Sequence, residues 1–284
     1  MELQQDDQDQ IENYNKSKQK ENKMKYYAYA ISHGGRIRGN NEDNLYLNGI
    51  YRKDNSVFFW EDQSSSENEI KAAVFDGIGG AENGEVASYL AARILDEQKQ
   101  KLFKGGLEQF LRSANTAIKE ASAGKTMGTT YTMLNIYRDV CWFNNVGDSR
   151  GYAFRDHTLK KMTKDHNMVT QLMEEGILTK EQALKHPDRH AIYQYLGMDD
   201  EDELSIEPYE HPAFAAKPGD YYLLCSDGLT DMVPEERIQE IIDENTVTDS
   251  TYHVVKPLAT LLVKEALERG GRDNITVILI KVEP

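Results

Sequence analysis

Four aspartates stand at the edges of apolar, strand-like runs: Asp76 in VFDGIGG, Asp148 in NVGDSRG, Asp227 in YLLCSDGL and Asp273 in GGRDNITVILI. Glu42 and Asp43, in NNED, precede a further such run. Singly, each has an ordinary structural explanation, because Asp-Gly makes hairpin turns, Asp-Ser makes Asx turns and a lone Asp can end a loop. Together they would place several negative charges on one rim of a folded sheet, where repulsion raises pKa values and costs stability unless cations neutralise them. A metal site resolves that conflict. Carboxylate and carbonyl oxygens suit Mg²⁺ or Mn²⁺, whereas zinc would call for clustered His or Cys. The seven histidines show no H-E-x-x-H pattern and the two cysteines lie far apart. Gly77, having no Cβ, could bring its carbonyl to a cation. A dinucleotide fingerprint from Gly77 would need glycine where Glu82 stands, and no Lys-Ser/Thr pair follows Gly84 as a phosphate-binding loop requires.

The elements that must position these groups can be read from periodicity. KYYAYAISH and NLYLNGIY flank the polar segment GGRIRGNNED and read as two strands joined by a long turn. After Asp76, Val86, Leu90, Ala91 and Ile94 recur at helical spacing, as do Leu107, Phe110, Leu111, Ala114 and Ile118. TTYTMLNIY alternates with period two, and VCWFNNVGDSRGYAF is a strand pair broken at Gly147-Asp148. These strands should be antiparallel, since the links are too short for crossover helices. Residues 156–197 are charged and His-rich, with two short helical patterns, as expected of an insertion over a sheet rim. Strand signals return at ELSIEPY and DYYLLCSD, helices at about 235–243 and 254–268, and NITVILIKV is the last strand.

The chain has 33 basic and 48 acidic residues, a net charge of −15 that disfavours polyanionic partners such as nucleic acid. No apolar run approaches the length of about 18 residues that reads as a membrane span. Cys141 and Cys225 each fall in an apolar stretch and read as buried thiols of a reducing compartment. Residues 1–24 are polar, lack the apolar region of a secretory signal and are expected to form a disordered tail before a single domain over 25–284.

The ordered set RGNNED, VFDGIGG, MGTT, VGDSRGY, KDHN, CSDGL and RDNITV resembles the metal-dependent Ser/Thr protein phosphatases of type 2C, over nearly the whole chain after the tail. EEGILTKEQALKHPDRHAIYQYLG looks like the flap of bacterial members. The resemblance implies an α/β fold, a four-layer α-β-β-α sandwich with two central antiparallel sheets flanked by helices. It implies hydrolysis of phosphoserine and phosphothreonine on proteins by a water activated between two Mn²⁺ or Mg²⁺ ions. Asp76 would bridge both ions; Asp227 and Asp273 would complete the first site; the Gly77 carbonyl and Glu42 would serve the second. Asp148, with Asp227, matches a third and weaker metal position. Asp43 belongs to the metal site as an orienter of ligands and waters, and Arg38 matches the arginine that grips the substrate phosphate. Many eukaryotic members carry a histidine, a candidate proton donor, where this chain has Ile78; the donor expected here is a metal-bound water near Asp148 rather than a side chain, with His33, His166 and His190 as the alternatives. The family further implies phosphoprotein substrates, opposition to a bacterial Ser/Thr kinase, a cytoplasmic monomer and no membrane partner.

Two rivals stand against this reading. One is a type 2C-like domain serving as a regulatory binding module, which loss of a bridging aspartate would favour, yet Asp76, Asp227 and Asp273 are all present. The other is two-metal phosphodiester hydrolysis, opposed by the acidic balance. The 156–197 insertion is the expected seat of substrate choice.

Overall fold

The computed structural model describes residues 24–54, 59–67, 69–79, 83–99, 106–198, 206–246 and 254–284. The expected N-terminal tail lies outside the described residues up to position 23, and Met24 is already buried between the sheets.

Two antiparallel sheets stack face to face. The first runs, edge to edge, Thr158–Lys161, Arg150–Arg155, Tyr221–Cys225, Ile275–Glu283, Lys25–His33 and Phe59–Ser66. The second runs Tyr209–Glu210, Val140–Val146, Tyr131–Tyr137, Glu69–Phe75, Asn44–Leu47 and Ile50–Tyr51, with Phe214–Ala215 also paired to Val140–Val146. Side chains alternate between faces along each strand. In Ile275–Glu283, Ile278, Ile280 and Val282 turn inward to meet Leu45, Ala72, Val74, Leu134 and Ile136 of the second sheet. Ile275, Val277 and Leu279 turn outward under the helices Glu235–Thr246 and Val255–Glu268, against Ile238, Ile241, Leu258 and Leu262. A strand buried on both faces is apolar throughout, which is why ITVILI shows no polar alternation.

The second sheet is covered likewise. Helices Gly84–Gln98 and Leu107–Ser122 lay Ala87, Ala91, Leu95, Phe110, Leu111, Ala114 and Ile118 on Ala73, Phe75, Tyr131 and Met133. The result is helix, sheet, sheet, helix, as the motif order implied. Cys141 and Cys225 are buried free thiols.

Three features depart from the local sequence pattern. Lys25–His33 and Asn44–Leu47 are not partners: the segment between them crosses from one sheet to the other. Phe59–Ser66, FWEDQSSS, is an edge strand without apolar alternation, held by its ladder to Lys25–His33 and by Trp60 packed against the core between the sheets. Within ELSIEPY only Tyr209 of the described residues is in strand, while residues 203–205 lie outside the description.

Residues 156–197 leave the first sheet through Thr158–Lys161 and form two short helices, Met168–Glu174 and Lys180–Ala183. Each begins at a side-chain cap: Asn167 Oδ1 accepts the Thr170 N–H at 3.0 Å, and Thr179 and Gln182 form a reciprocal capping box. The segment returns at Leu196, whose N–H and C=O pair with Thr129 at 2.9 Å each. Its far end shows Ile177 and Leu184 to solvent.

Gly77 marks where the sheets' ends close. A Cβ there would overlap the backbone carbonyl oxygens of Glu42 and Gly84, whereas a Cβ at Gly39 would meet open space. Gly77→Ala should therefore cost about 1–3 kcal/mol or more in denaturant unfolding, and Gly39→Ala under about 0.5 kcal/mol.

Candidate active site

Strand register alone gathers the carboxylates. Asn44 lies opposite Phe75, so Asp43 and Asp76, the next residue on each strand, come side by side at one end of the second sheet. Cys225 lies opposite both Arg150 and Val277 in the first sheet, which brings the turn with Asp148, the strand end before Asp227 and the strand start after Asp273 to the same edge. Because the sheets are stacked, the two edges meet.

Asp76 is fixed by its backbone. Its N–H donates to the Thr130 hydroxyl at 3.0 Å, and its carbonyl accepts the Thr130 N–H and the Thr129 hydroxyl, both at 2.9 Å. Asp76 as a residue is half-buried, and protein packs densely around its carboxyl group. No ion pair to Asp76 exists among the described residues. Burial, then the charges of Asp227, Asp43, Asp148 and Asp273, push its pKa well above the usual carboxylate range. Asp227, the first residue of the short helix Asp227–Thr230, is raised in the same way by burial and then by Asp148, Asp231, Asp273 and Asp43. Burial and then Asp165 push Asp148 up to about 7. These mutual shifts are the electrostatic signature of crowding, and they show that the structure brings Asp43, Asp76, Asp148, Asp227 and Asp273 together.

Asp43 sits beneath this rim, buried, with Oδ2 accepting hydroxyl bonds from Ser226 at 2.8 Å and Thr276 at 2.7 Å. Two such bonds favour the ionised form, yet desolvation outweighs them and pushes the group up to about 6. With its solvent-facing side occupied by protein, Asp43 is a supporting group rather than an open one.

Glu42 is half-buried where three segments converge. Its N–H donates to Asn274 Oδ1 at 2.7 Å, its carbonyl accepts the Ser88 hydroxyl at 2.6 Å, and its carboxylate carbon lies 3.0 Å from where a Gly84 Cβ would stand. The backbones of Gly77 and Glu42 touch at the same point, so the Gly77 carbonyl and the Glu42 carboxylate share a neighbourhood. Arg38 is exposed at the mouth, donating from Nη2 to Asp273 Oδ2 at 2.6 Å. Asp273 Oδ1 accepts the Asn274 N–H at 2.8 Å.

The histidines separate by environment. His33 Nδ1 accepts the Gly35 N–H, the ring packs edge-on to Phe59, and burial lowers its pKa. His166 Nδ1 accepts the Gly147 N–H, and burial pushes it down to about 4. Only His190 of the three reaches the carboxylates, with Nε2 3.5 Å from Asp231 Oδ2 and Nδ1 4.0 Å from Asp227 Oδ2. His190, Asp227 and Asp231 could together hold a cation. Asp231 escaped the motif reading; its signal is the four-residue spacing in DGLTD, which places it one helical turn from Asp227. Ile78 pairs with Gly128 and offers no proton.

The donors are hard oxygens, many, negatively charged and largely without positive partners, which is the chemistry of a Mg²⁺ or Mn²⁺ site. The buried cysteines cannot act as nucleophiles: both have no exposed surface, and burial pushes the Cys225 thiol up to about 12 and Cys141 further in the same direction.

Comparison with known proteins agrees with this chemistry. The family model described as Protein phosphatase 2C matches residues 47–263, a span holding Asp76, Asp148 and Asp227. Serine/threonine phosphatase stp of Listeria monocytogenes is 32% identical over 259 residues, covering 87% of this chain and 92% of that protein. Serine/threonine protein phosphatase PstP of Mycobacterium tuberculosis is 33% identical over 262 residues, covering 89% of this chain but 44% of PstP. A crystal structure of the M. tuberculosis PstP superposes with a TM-score of 0.71 at 33% identity, covering 91% of this chain and 100% of that one. A PstP catalytic domain in complex with two manganese ions gives a TM-score of 0.70 at 31% identity, covering 92% of this chain and 100% of that one. The chain belongs to the protein phosphatase 2C family.

Proposed function

We propose that this protein hydrolyses phosphoserine and phosphothreonine on proteins with the help of two divalent cations, Mn²⁺ or Mg²⁺. The observation that carries the proposal is Asp76: a backbone-clamped carboxylate without an ion-pair partner, surrounded by Asp227, Asp148 and Asp273, in a chain of this family. Asp76 would contact both ions, with Asp227 and Asp273 on one and the Gly77 carbonyl and Glu42 on the other. Asp148 and Asp227 would serve a third, weaker position. When bound, the ions supply charge neutralisation and an activated water for in-line attack on phosphorus.

The chain's own groups do the rest. Arg38 presents a forked donor set at the mouth, suited to bind two phosphoryl oxygens in parallel. Asp43, fixed by Ser226 and Thr276, holds the strand ends in place from beneath. Residues 156–197 meet the site at both ends, through Leu196 on Thr129 and through His166, whose N–H donates to the Gly147 carbonyl at 3.0 Å. That placement supports a role as a flap in substrate choice. The same reading makes the substrates products of a Ser/Thr kinase and the protein a cytoplasmic monomer; no described helix is long and apolar enough to cross a membrane.

Asp76→Asn should lower Mn²⁺-dependent turnover of a phosphothreonine peptide by roughly a hundredfold or more, while raising the thermal stability of the cation-free protein because a repelling charge is gone. Turnover near wild type would remove Asp76 from the site, and an inactive wild type would favour the binding-module reading. Arg38→Ala should act chiefly on KM, since a phosphate grip holds ground and transition states alike.

Raised carboxylate pKa values also set a pH dependence. Folding takes up protons between the unfolded value near 3.9 and the folded values of about 6 for Asp43 and about 7 for Asp148. These groups therefore lend stability to the cation-free protein at low pH and cost stability as pH rises through that window. Saturating Mn²⁺ should raise Tm more at pH 7.5 than at pH 5.5, read by thermal unfolding against a chelated control.

A further inference from the structure

Most arginines of this acidic chain are spoken for. Arg93, Arg112, Arg150, Arg155, Arg237 and Arg269 pair with carboxylates, Arg138 stacks on Tyr137, and the buried Arg52 donates to the Asn41 and Asp43 carbonyls. Among the described residues, Arg36, Arg189 and Arg272 have no carboxylate within ion-pair distance. All three are exposed, and each is within two residues of a group already placed at the candidate active site: Arg36 near Arg38, Arg189 next to His190 and Arg272 next to Asp273.

Their placement is built into the backbone. The Arg36 N–H donates to the Gly271 carbonyl at 2.7 Å, which stitches the loop carrying Arg36 and Arg38 to the turn carrying Arg272 and Asp273. The crossing is close enough that Gly35, at φ +78°, could not carry a Cβ without striking the Asp273 carbonyl. The Arg36 side chain runs over Gly271, with Cγ 3.2 Å from a Cβ position there, and Arg272 runs past Gly270 beside Met232, the neighbour of Asp231. Arg189 is near enough to Asp231 to favour its ionised form. Between Arg36 and Arg38, Ile37 stands 72% exposed. Arg36 stands two residues before Arg38 and Arg272 one before Asp273, which Arg38 binds at 2.6 Å, so both lie in the loops beside the arginine proposed to grip the phosphate, where residues flanking the phosphorylated one would pass.

We propose that Arg36 and Arg272 bind acidic side chains flanking the phosphorylated serine or threonine, so that the enzyme favours phosphosites in acidic sequence. The inference rests on the phosphatase reading above and adds a substrate class to it. The charge balance gives it a physical need: a chain of net charge −15 repels acidic segments, and a local positive border offsets that repulsion at the one place where such a segment must dock. Loops pinned to each other hold the guanidinium-bearing residues ready, which lowers the ordering cost of binding.

The test uses the full chain with Mn²⁺ and three phosphothreonine peptides of equal length, differing only in acidic, neutral or basic flanks, with p-nitrophenyl phosphate as a substrate that has no flanks. The wild type should show kcat/KM for the acidic peptide about three- to tenfold above the neutral one, mainly through KM and shrinking with added salt. Arg36→Ala combined with Arg272→Ala should bring that ratio to about one, and Arg36→Glu combined with Arg272→Glu should invert it in favour of basic flanks. Equal handling of all three peptides by the wild type, or an acidic preference that survives in the double variants, overturns the proposal while leaving the phosphatase reading intact. A wild type that turns over neither p-nitrophenyl phosphate nor any peptide overturns both.

Discussion

Mutual repulsion among strand-end carboxylates is the constraint on which the rest of this structure depends. Asp43, Asp148 and Asp273 press on both Asp76 and Asp227, Asp227 presses on Asp76 in turn, and every resolved shift among the five is upward. At an effective dielectric constant near 20, two unit charges about 4 Å apart repel by roughly 4 kcal/mol, comparable to a large part of a domain's net stability. A loop could not hold such groups together. Here the job falls to the antiparallel ladders, whose registers set Asn44 against Phe75 and Cys225 against both Arg150 and Val277.

A second set of interactions fixes the ends of those ladders. Asn274 pins one loop at three points: Nδ2 donates to the carbonyls of Gly34 and Asn40, and Oδ1 accepts the Glu42 N–H. Beneath it, Thr276 donates to Asp43 while Ser226 does the same from the neighbouring strand, and Arg52 reaches under the loop to the Asn41 and Asp43 carbonyls. Buried polar groups of this kind are costly when unpaired and rigid when satisfied. The network explains how Glu42 and Arg38, both on an otherwise solvent-facing loop, keep fixed positions relative to Asp273 across more than two hundred residues of sequence. The 156–197 insertion reaches the same rim at three points, through His166 on Gly147, His190 beside Asp227 and Asp231, and Leu196 on Thr129.

Much of this was legible in the sequence because the relevant signals are local. Asp76, Asp227 and Asp273 announce themselves as acidic residues at the ends of apolar runs, and the amphipathic helices over 84–98 and 107–122 follow from i, i+3, i+4 spacing alone. What escaped was set by tertiary partners. Phe59–Ser66 is polar after its first two residues, and its pairing to Lys25–His33, with Trp60 against the core between the sheets, makes it a strand. The crossing between Lys25–His33 and Asn44–Leu47 has no local mark, since either sheet would accept either strand. Asp231 sits one turn beyond a residue already singled out, yet its meaning depends on His190 arriving from the insertion. Arg36 and Arg272 read as ordinary loop arginines until the stitch between their loops is seen.

The central claim is that cations resolve the repulsion at Asp76, and its most direct test is to locate them. Crystals grown with Mn²⁺ and measured near the manganese absorption edge should give two strong anomalous peaks, both within coordination distance of the Asp76 carboxylate, one also near Asp227 and Asp273 and the other near the Gly77 carbonyl. Peaks that avoid Asp76, or an ordered site without bound manganese at saturating concentration, would contradict the account.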